Sequence, residues 1–128
     1  MGKKILVIDD EPDILMVLAN RLKLAGYEVE NAETGEEGLM ISLRATPDLI
    51  LLDLMLPGIS GFEVLEKLKN QNNTRHIPVF VISAKSQLGD RDKALKAGAN
   101  QFFVKPFNSS DLLDKIRDIV KPTEGGNL

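Results

Sequence analysis

The sequence contains no cysteine and no tryptophan, and its aromatic content is only 5%. The lack of cysteine excludes disulfides, thiolate metal sites and thiol nucleophiles, and it is compatible with a reducing compartment. No apolar run approaches the roughly 20 residues of a membrane span. The Met-Gly-Lys-Lys start leads at once into a short strand-like run rather than the apolar core of a secretory signal. We therefore expect a cytoplasmic protein with no membrane segment.

Basic residues are also fewer than acidic ones. Sixteen Lys and Arg residues face 19 Asp and Glu residues, which gives a net charge of −3. There is no dense basic block either, so we expect no nucleic-acid binding by this chain alone. With 128 residues and 43% hydrophobic content, the chain fits one domain with a real core. We expect that domain over residues 1–121, and a flexible tail or the start of a linker over 122–128.

Strand-like runs alternate with helical patterns along the chain. The expected strands are Ile5–Ile8, Tyr27–Glu30, Leu49–Leu52, Val79–Ile82 and Gln101–Val104. The expected helices are Pro12–Ala25, about Thr34–Ala45 with Thr34 as its cap, Gly61–Asn70, Ser86–Ala97 and Asp111–Lys121. This alternation predicts an α/β fold, a doubly wound sheet of five parallel strands with five helices on both faces. We expect the flavodoxin-like strand order 2-1-3-4-5, one of the two common orders of doubly wound sheets.

Two helices carry more specific expectations. The fourth has little apolar content, so it should be the most loosely packed and a candidate for movement. In the fifth, the periodicity places four apolar residues on one packed face: Leu112, Ile116, Ile119 and Val120.

Polar groups follow four of the strand-like runs. The first run ends in Asp9 and Asp10, the third in Asp53, the fourth in Ser83 and the last in Lys105. In a sheet of this order the first and third strands are neighbours, so Asp10 and Asp53 should face the same crevice. Anionic oxygens held together repel one another unless protons or a hard cation intervene. The pattern therefore favours a site for Mg²⁺, with Mn²⁺ as the alternative.

Each of these residues also has a structural explanation. The acidic triplet Asp9–Glu11 suits the N-terminus of a helix, and Asp53 suits an Asx turn before Pro57. Ser83 could cap the next helix, and Lys105 could be an ordinary solvent-exposed lysine. Against this, a carboxylate that attacks phosphorus needs Mg²⁺, a hydroxyl donor and an ammonium around the transferred group. The sequence offers one of each.

The motifs resemble the receiver domain of two-component response regulators over about residues 3–121. The segments that carry the resemblance are Val7–Glu11, Leu52–Gly58 with Gly61, Ile82–Ala84, and Gly98-Ala99 leading to Lys105–Phe107. The resemblance implies that Asp53 is the phosphoacceptor, supplied by a histidine kinase phosphohistidine, a phosphotransfer domain or a small phosphodonor. It further implies a signalling domain that catalyses only its own phosphorylation and dephosphorylation, not an enzyme acting on other substrates.

The same resemblance assigns roles around the phosphoacceptor. Asp10 would ligate Mg²⁺ directly and Asp9 mainly through water, and the backbone carbonyl of Met55 would be a further ligand. Lys105 would contact the phosphoryl group and precede a cis bond to Pro106. Ser83 would donate a hydrogen bond to a phosphoryl oxygen.

The switch aromatic of the family falls at Phe102, which has no hydroxyl, so a switch here would act by packing alone. The resemblance also implies that Met55 and Lys85 would flank the phosphoryl group, at positions that in the family tune the lifetime of the phosphorylated state. We expect Met55 to hinder water and Lys85 to add positive charge, so that the phosphorylated state persists.

Partner surfaces are implied at the level of the family. A kinase would meet the first helix around Ile14, Leu15, Val17 and Leu18, and the output surface would be the fourth helix, fifth strand and fifth helix. The sequence leaves the cognate kinase, the output target and the choice between a monomer and a phosphorylation-dependent dimer open. His76 lies before the fourth strand, is expected to be exposed, and is assigned no role.

Other function classes fit less well. A nucleotide- or flavin-binding protein needs a loop of Gly, Ser, Thr or Lys after the first strand, where this chain has Asp9–Glu11. Phosphatases with an aspartate nucleophile carry an Asp-x-Asp pattern, in which the second carboxylate acts as general acid. In this chain Met55 stands two residues after Asp53, so that second carboxylate is missing. An interaction module that works without phosphorylation is the weakest alternative, because every residue required for phosphoryl chemistry is present.

Overall fold

The computed structural model describes residues 2–84 and 89–122. Within these residues five parallel strands form one sheet in the order β2-β1-β3-β4-β5. The strands are Lys4–Ile8 (β1), Glu28–Ala32 (β2), Leu49–Asp53 (β3), Val79–Ser83 (β4) and Gln101–Val104 (β5). The helices are Pro12–Leu24 (α1), Gly35–Ala45 (α2), Gly61–Asn70 (α3), Asp90–Lys96 (α4) and Ser109–Ile119 (α5). The predicted fold class and strand order are confirmed.

The apolar core lies in two layers, one on each face of the sheet. Because side chains alternate along a strand, Leu6 and Ile8 of β1 face one layer and Ile5 and Val7 face the other. The first layer joins the sheet to α2, α3 and α4, and the second joins it to α1 and α5. Every residue of β3 is buried. The strand that ends in Asp53 therefore sits on a rigid, packed base.

Helix starts follow local capping chemistry. The Thr34 hydroxyl accepts a hydrogen bond from the Glu37 N–H at 3.1 Å, which confirms the predicted cap of α2. The Ser60 hydroxyl does the same for the Glu63 N–H at 3.2 Å at the start of α3. None of the helices in the described residues is both long enough and apolar enough to cross a bilayer.

Most strand and helix boundaries differ from the sequence prediction by one or two residues; β2, for example, runs to Ala32 rather than Glu30, and α5 ends at Ile119 rather than Lys121. Two of the differences have a clear local cause. β2 begins at Glu28, because Tyr27 lies in the preceding turn, buries its ring and donates its hydroxyl to the Val120 carbonyl. α5 begins at Ser109 rather than Asp111, because the Asn108 side chain caps the helix by accepting from the Asp111 N–H at 3.1 Å.

The predicted packed face of α5 is wrong at one position. Ile119 is 43% exposed, whereas Leu112, Ile116 and Val120 are buried. Val120 is already extended and lies beyond the helix, so it does not follow the helical periodicity.

The fourth helix is described only from Asp90, and the earlier part of the predicted helix, residues 86–88, lies outside the described residues. Ala94 is the one buried residue of the described helix. The Lys93 Nζ atom lies 4.2 Å above the centre of the Phe62 ring, which links α4 to α3. This sparse packing agrees with the expectation that α4 is the most loosely held helix.

Candidate functional site

The ends of β1 and β3 bring three carboxylates together. Ile8 pairs with Leu52 in the sheet, so Asp9 and Asp53 follow at the same edge. Both are 3% exposed, whereas Asp10 faces solvent. One carboxylate oxygen from each of the three residues lies within 4.8 Å of the others. The predicted convergence of Asp10 and Asp53 is confirmed.

Asp9 and Asp53 are held in the same way. Asp9 Oδ1 accepts the Glu11 N–H at 2.8 Å, and Asp53 Oδ1 accepts the Met55 N–H at 3.0 Å. Each carboxylate thus closes an Asx turn with the residue two positions on, which fixes its orientation. The Asx-turn interpretation of Asp53 is correct and compatible with a functional role. The capping interpretation of the triplet is right about its position, because Glu11 occupies the N-cap of α1, but Glu11 makes no side-chain cap hydrogen bond there.

Lys105 binds the carboxylate atoms that these turns leave available. Its Nζ atom donates to Asp9 Oδ2 at 2.7 Å, to Glu11 Oε1 at 2.8 Å and to Asp53 Oδ2 at 3.1 Å. The Lys105 side chain is only 9% exposed, so the interpretation of a solvated lysine is wrong. Its bond to Pro106 is cis, as expected. Glu11 was not predicted as a site residue, although its place in the acidic triplet was a signal for it.

Burial and charge shift the two central pKa values. Desolvation raises the pKa of Asp53, with a further rise from the charge of Asp9, against the Met55 N–H and the Lys105 ammonium. Burial by itself lowers the pKa of Lys105, but its hydrogen bonds to Asp9 and Glu11 and the charges of Asp53 and Asp9 outweigh this, so the pKa is raised. Lys105 is therefore a fixed positive charge at neutral pH.

Glycine at position 61 permits the turn after β3. A Cβ atom there would collide with the Asp53 carbonyl oxygen and the Leu54 Cα. The Gly61 N–H also donates to the Leu54 carbonyl at 3.1 Å. The start of α3 can thus approach the backbone of the proposed phosphoacceptor only without a side chain.

Ser83 and Phe102 lie on the two strands next to this edge. Ser83 is the last residue of β4, is 1% exposed and pairs with Val104. The described part of α4 has Gly89 at its N-cap, and residues 85–88, which would test Ser83 as the cap of a longer fourth helix, lie outside the described residues. Phe102 pairs with Val81 and lies in the same core cluster as Ala94 of α4.

The remaining predicted residues are placed as follows. Met55 is 54% exposed, and Lys85 lies outside the described residues. His76 is exposed, as expected. On α1, Leu15 and Leu18 are buried in the core, so their predicted contact with a kinase is wrong. Val17 of that set is exposed.

The acidic group fits a hard divalent cation. Asp9, Asp10 and Asp53 offer only carboxylate oxygens, and the exposed Asp10 leaves room for water, both of which Mg²⁺ favours. The Met55 carbonyl stays a predicted further ligand.

The comparison with protein families identifies the class. The family model described as the response regulator receiver domain matches residues 5–117. The chain therefore belongs to the response regulator receiver domain family. Receiver domains are signalling domains that interact with histidine kinases or phosphotransfer partners, and they bind Mg²⁺ at an acidic pocket.

Individual relatives place the chain within this family. It is 36% identical over 121 residues to the DNA-binding dual master transcriptional regulator RpaA of Synechocystis, covering 94% of this chain and 50% of that regulator. The chain thus spans about half the length of RpaA. The chemotaxis protein CheY4 of Vibrio cholerae is similar at a TM-score of 0.85 and 30% identity, over 92% of this chain and 98% of that one.

A further similar structure is the receiver domain of the sensor histidine kinase PA1611 of Pseudomonas aeruginosa, which has a magnesium ion coordinated in its active-site cleft. Its TM-score is 0.85 at 29% identity, over 93% of this chain and 98% of that one.

Proposed function

We propose that Asp53 accepts a phosphoryl group from the phosphohistidine of a sensor histidine kinase or a phosphotransfer domain, or from a small phosphodonor, in a Mg²⁺-dependent reaction. One observation carries the proposal. The buried Asp53 carboxylate is anchored at Oδ1 by the Met55 N–H and lies 3.1 Å from a fixed ammonium at Oδ2, beside two further carboxylates. This is a nucleophile surrounded by the charges that phosphoryl transfer requires.

In the proposed step an oxygen of Asp53 attacks phosphorus. The P–N bond of the phosphohistidine breaks, its electron pair returns to the imidazole nitrogen, and an acyl phosphate forms on Asp53. The Lys105 ammonium stabilises the charge on the phosphoryl oxygens, and the Ser83 hydroxyl donates to one of them. Bound Mg²⁺ neutralises negative charge at this edge. It would be held by Asp10 and Asp53, by Asp9 mainly through water, and by the Met55 carbonyl; Mn²⁺ is the alternative cation.

The signal is proposed to pass through Ser83 and Phe102 to the surface formed by α4, β5 and α5. Phosphorylation would shift an existing equilibrium between two arrangements of this surface. Phe102 has no hydroxyl to pair, so its part is a change of packing against the core cluster that contains Ala94 of α4. The exposed Leu95 and Val104 give this surface apolar contacts for an output target or a second copy of the chain.

The kinase or phosphotransfer partner is proposed to contact α1 through its exposed residues. Met16 and Val17 are 58% and 48% exposed and lie in the first half of α1, the helix that follows the acidic triplet. The receiver function is proposed for residues 1–121 as a unit, and the family match over 5–117 supports nearly all of that range.

A persistent phosphorylated state is also proposed. Met55 is more than half exposed directly after the phosphoacceptor strand, where an apolar side chain obstructs an attacking water. Lys85 would add positive charge. Met55→Asn should therefore shorten the lifetime of phosphorylated Asp53, and a seconds-scale lifetime that this substitution leaves unchanged would contradict the proposal.

The direct test is incubation with Mg²⁺ and acetyl phosphate, followed by intact mass spectrometry. The proposal predicts one added phosphoryl group on the wild type and none on Asp53→Asn or after chelation of the metal. If Mg²⁺ binds but no phosphoryl group is added, the chain is better explained as an interaction domain that works without phosphorylation.

A further inference from the structure

Glu11 makes a contact in the site that the proposed chemistry does not yet use. Its Oε1 atom accepts a hydrogen bond from Lys105 Nζ at 2.8 Å. An ammonium has three protons, and Asp9 and Asp53 accept at 2.7 Å and 3.1 Å. The three carboxylates therefore match the full donor capacity of Lys105, which leaves no proton for an oxygen of an incoming phosphodonor.

The three carboxylates differ in how easily they release the ammonium. The side chains of Asp9 and Asp53 are 4% and 3% exposed, so either one would lose a charged hydrogen bond without gaining full hydration. The Glu11 side chain is 57% exposed, and water can solvate its carboxylate once it turns away. Release of Glu11 is the least costly way to free a proton of Lys105.

We propose that Glu11 is a positioning residue that holds the third proton of Lys105 and is displaced from it when a phosphodonor binds. The inference rests on the proposed function of Asp53. Glu11 keeps the ammonium directed at the acidic cluster before phosphoryl transfer, and it competes with the phosphoryl group for the same proton. Removing its charge should therefore strengthen binding of the donor while leaving the chemical step little changed.

The test uses beryllofluoride, a phosphoryl analogue, titrated by calorimetry into the full chain at saturating Mg²⁺. Glu11→Gln should bind it about two- to fivefold more tightly than wild type, the size expected for an ion pair with one exposed partner. Glu66→Gln removes the same charge from an exposed position on α3 and should bind as wild type does. With acetyl phosphate, Glu11→Gln should lower KM and leave kcat nearly unchanged.

Two further measurements separate a contact from a general effect of charge. In the absence of a phosphodonor, the protons on Lys105 Nζ, observed through its ¹⁵N resonance, should exchange with water faster in Glu11→Gln than in Glu66→Gln. Glu11→Asp keeps the charge but is one methylene shorter, so its affinity for beryllofluoride should move towards that of Glu11→Gln; an affinity equal to wild type would overturn the contact.

The outcomes distinguish this inference from the proposed function. Equal or weaker beryllofluoride binding by Glu11→Gln, with normal binding by wild type, would overturn the role of Glu11 alone. A wild type that binds Mg²⁺ but neither beryllofluoride nor a phosphoryl group would overturn both.

Discussion

Lys105 Nζ lies 2.7 Å from Asp9 Oδ2, and this ion pair spans the carboxyl edge of the sheet from the end of β1 to the end of β5. β3 and β4 lie between the two strands, and both end at the same edge with Asp53 and Ser83. The pair is almost fully buried, so the charges in this site depend on one another more strongly than charges in water do.

Asp53→Asn is predicted to raise the melting temperature of the Mg²⁺-free protein near neutral pH. Burial raises the pKa of Asp53 in the folded state, so ionisation is less favourable there than in the unfolded chain. This group therefore contributes its full stability below the unfolded pKa, and the contribution is lost as pH rises through the folded pKa. At neutral pH the wild type bears the full cost of keeping an ionised Asp53 carboxylate buried, whereas asparagine has no charge to bury.

Thermal melts across the acidic to neutral range check this prediction. The advantage of Asp53→Asn should be largest at neutral pH and should shrink as the wild-type carboxylate becomes protonated. Mg²⁺ should stabilise the wild type more than the variant. Asp118→Asn, the same change at an exposed position of α5, serves as the control. An advantage that does not vary with pH would contradict the electrostatic explanation.

Tyr27→Phe is predicted to destabilise the fold by about 1 kcal/mol at neutral pH, the usual net value of a buried hydrogen bond. It removes the bond from the Tyr27 hydroxyl to the Val120 carbonyl. Desolvation also raises the pKa of Tyr27, against the charge of Arg117, so wild-type stability should fall as pH rises above the unfolded value of about 10. Chemical denaturation should show a smaller alkaline loss for the variant. Parallel curves for the two proteins would refute this.

Gly61→Ala is predicted to cost roughly 1–3 kcal/mol, the range for overpacking. The added methyl group would meet the backbone of Asp53 and Leu54, which cannot rotate away as a side chain can. Because the strain falls on the strand that carries the proposed phosphoacceptor, phosphorylation by acetyl phosphate should also slow. Denaturant melts and the phosphorylation rate check both effects, and a variant with wild-type stability would show that the turn is not tightly packed.

Lys93→Met is predicted to speed hydrogen exchange in α4. It removes the cation from above the Phe62 ring, a contact worth about 0.5–1 kcal/mol at an exposed site. Because Ala94 is the one buried residue of the described helix, few other contacts resist opening. Exchange of the Ala97 amide, which donates to the Lys93 carbonyl at 3.0 Å, reports the change. Lys96→Met, at an exposed position of the same helix, should leave the exchange rate of the Ala97 amide near that of the wild type.

The sequence predicted the fold because its signals are local. Apolar runs such as Leu49–Leu52 form strands, and the apolar spacing of α3 forms a helix. The order of the strands in the sheet then brings Asp10 and Asp53 together. The start of α5 could also have been predicted from the sequence, since asparagine, here Asn108, is a favoured N-cap residue.

Other features depend on contacts between residues far apart in the chain. The bond from Tyr27 joins residues 93 positions apart, and that from Lys105 to Glu11 joins residues 94 apart. No spacing rule gives the side-chain directions that make these bonds. Ile119 and Val120 are both apolar, and the end of α5 at Ile119 separates the exposed Ile119 from the buried Val120.

The central claim is that Asp53 carries an acyl phosphate, and borohydride trapping tests it most directly. After treatment with acetyl phosphate and Mg²⁺, borohydride should reduce the acyl phosphate and convert Asp53 to homoserine, which tandem mass spectrometry of the peptides locates at position 53. Homoserine at that position in the wild type, and none without Mg²⁺, is the predicted result. Homoserine at Asp9 or Asp10, or at no position despite added phosphate, would contradict the account.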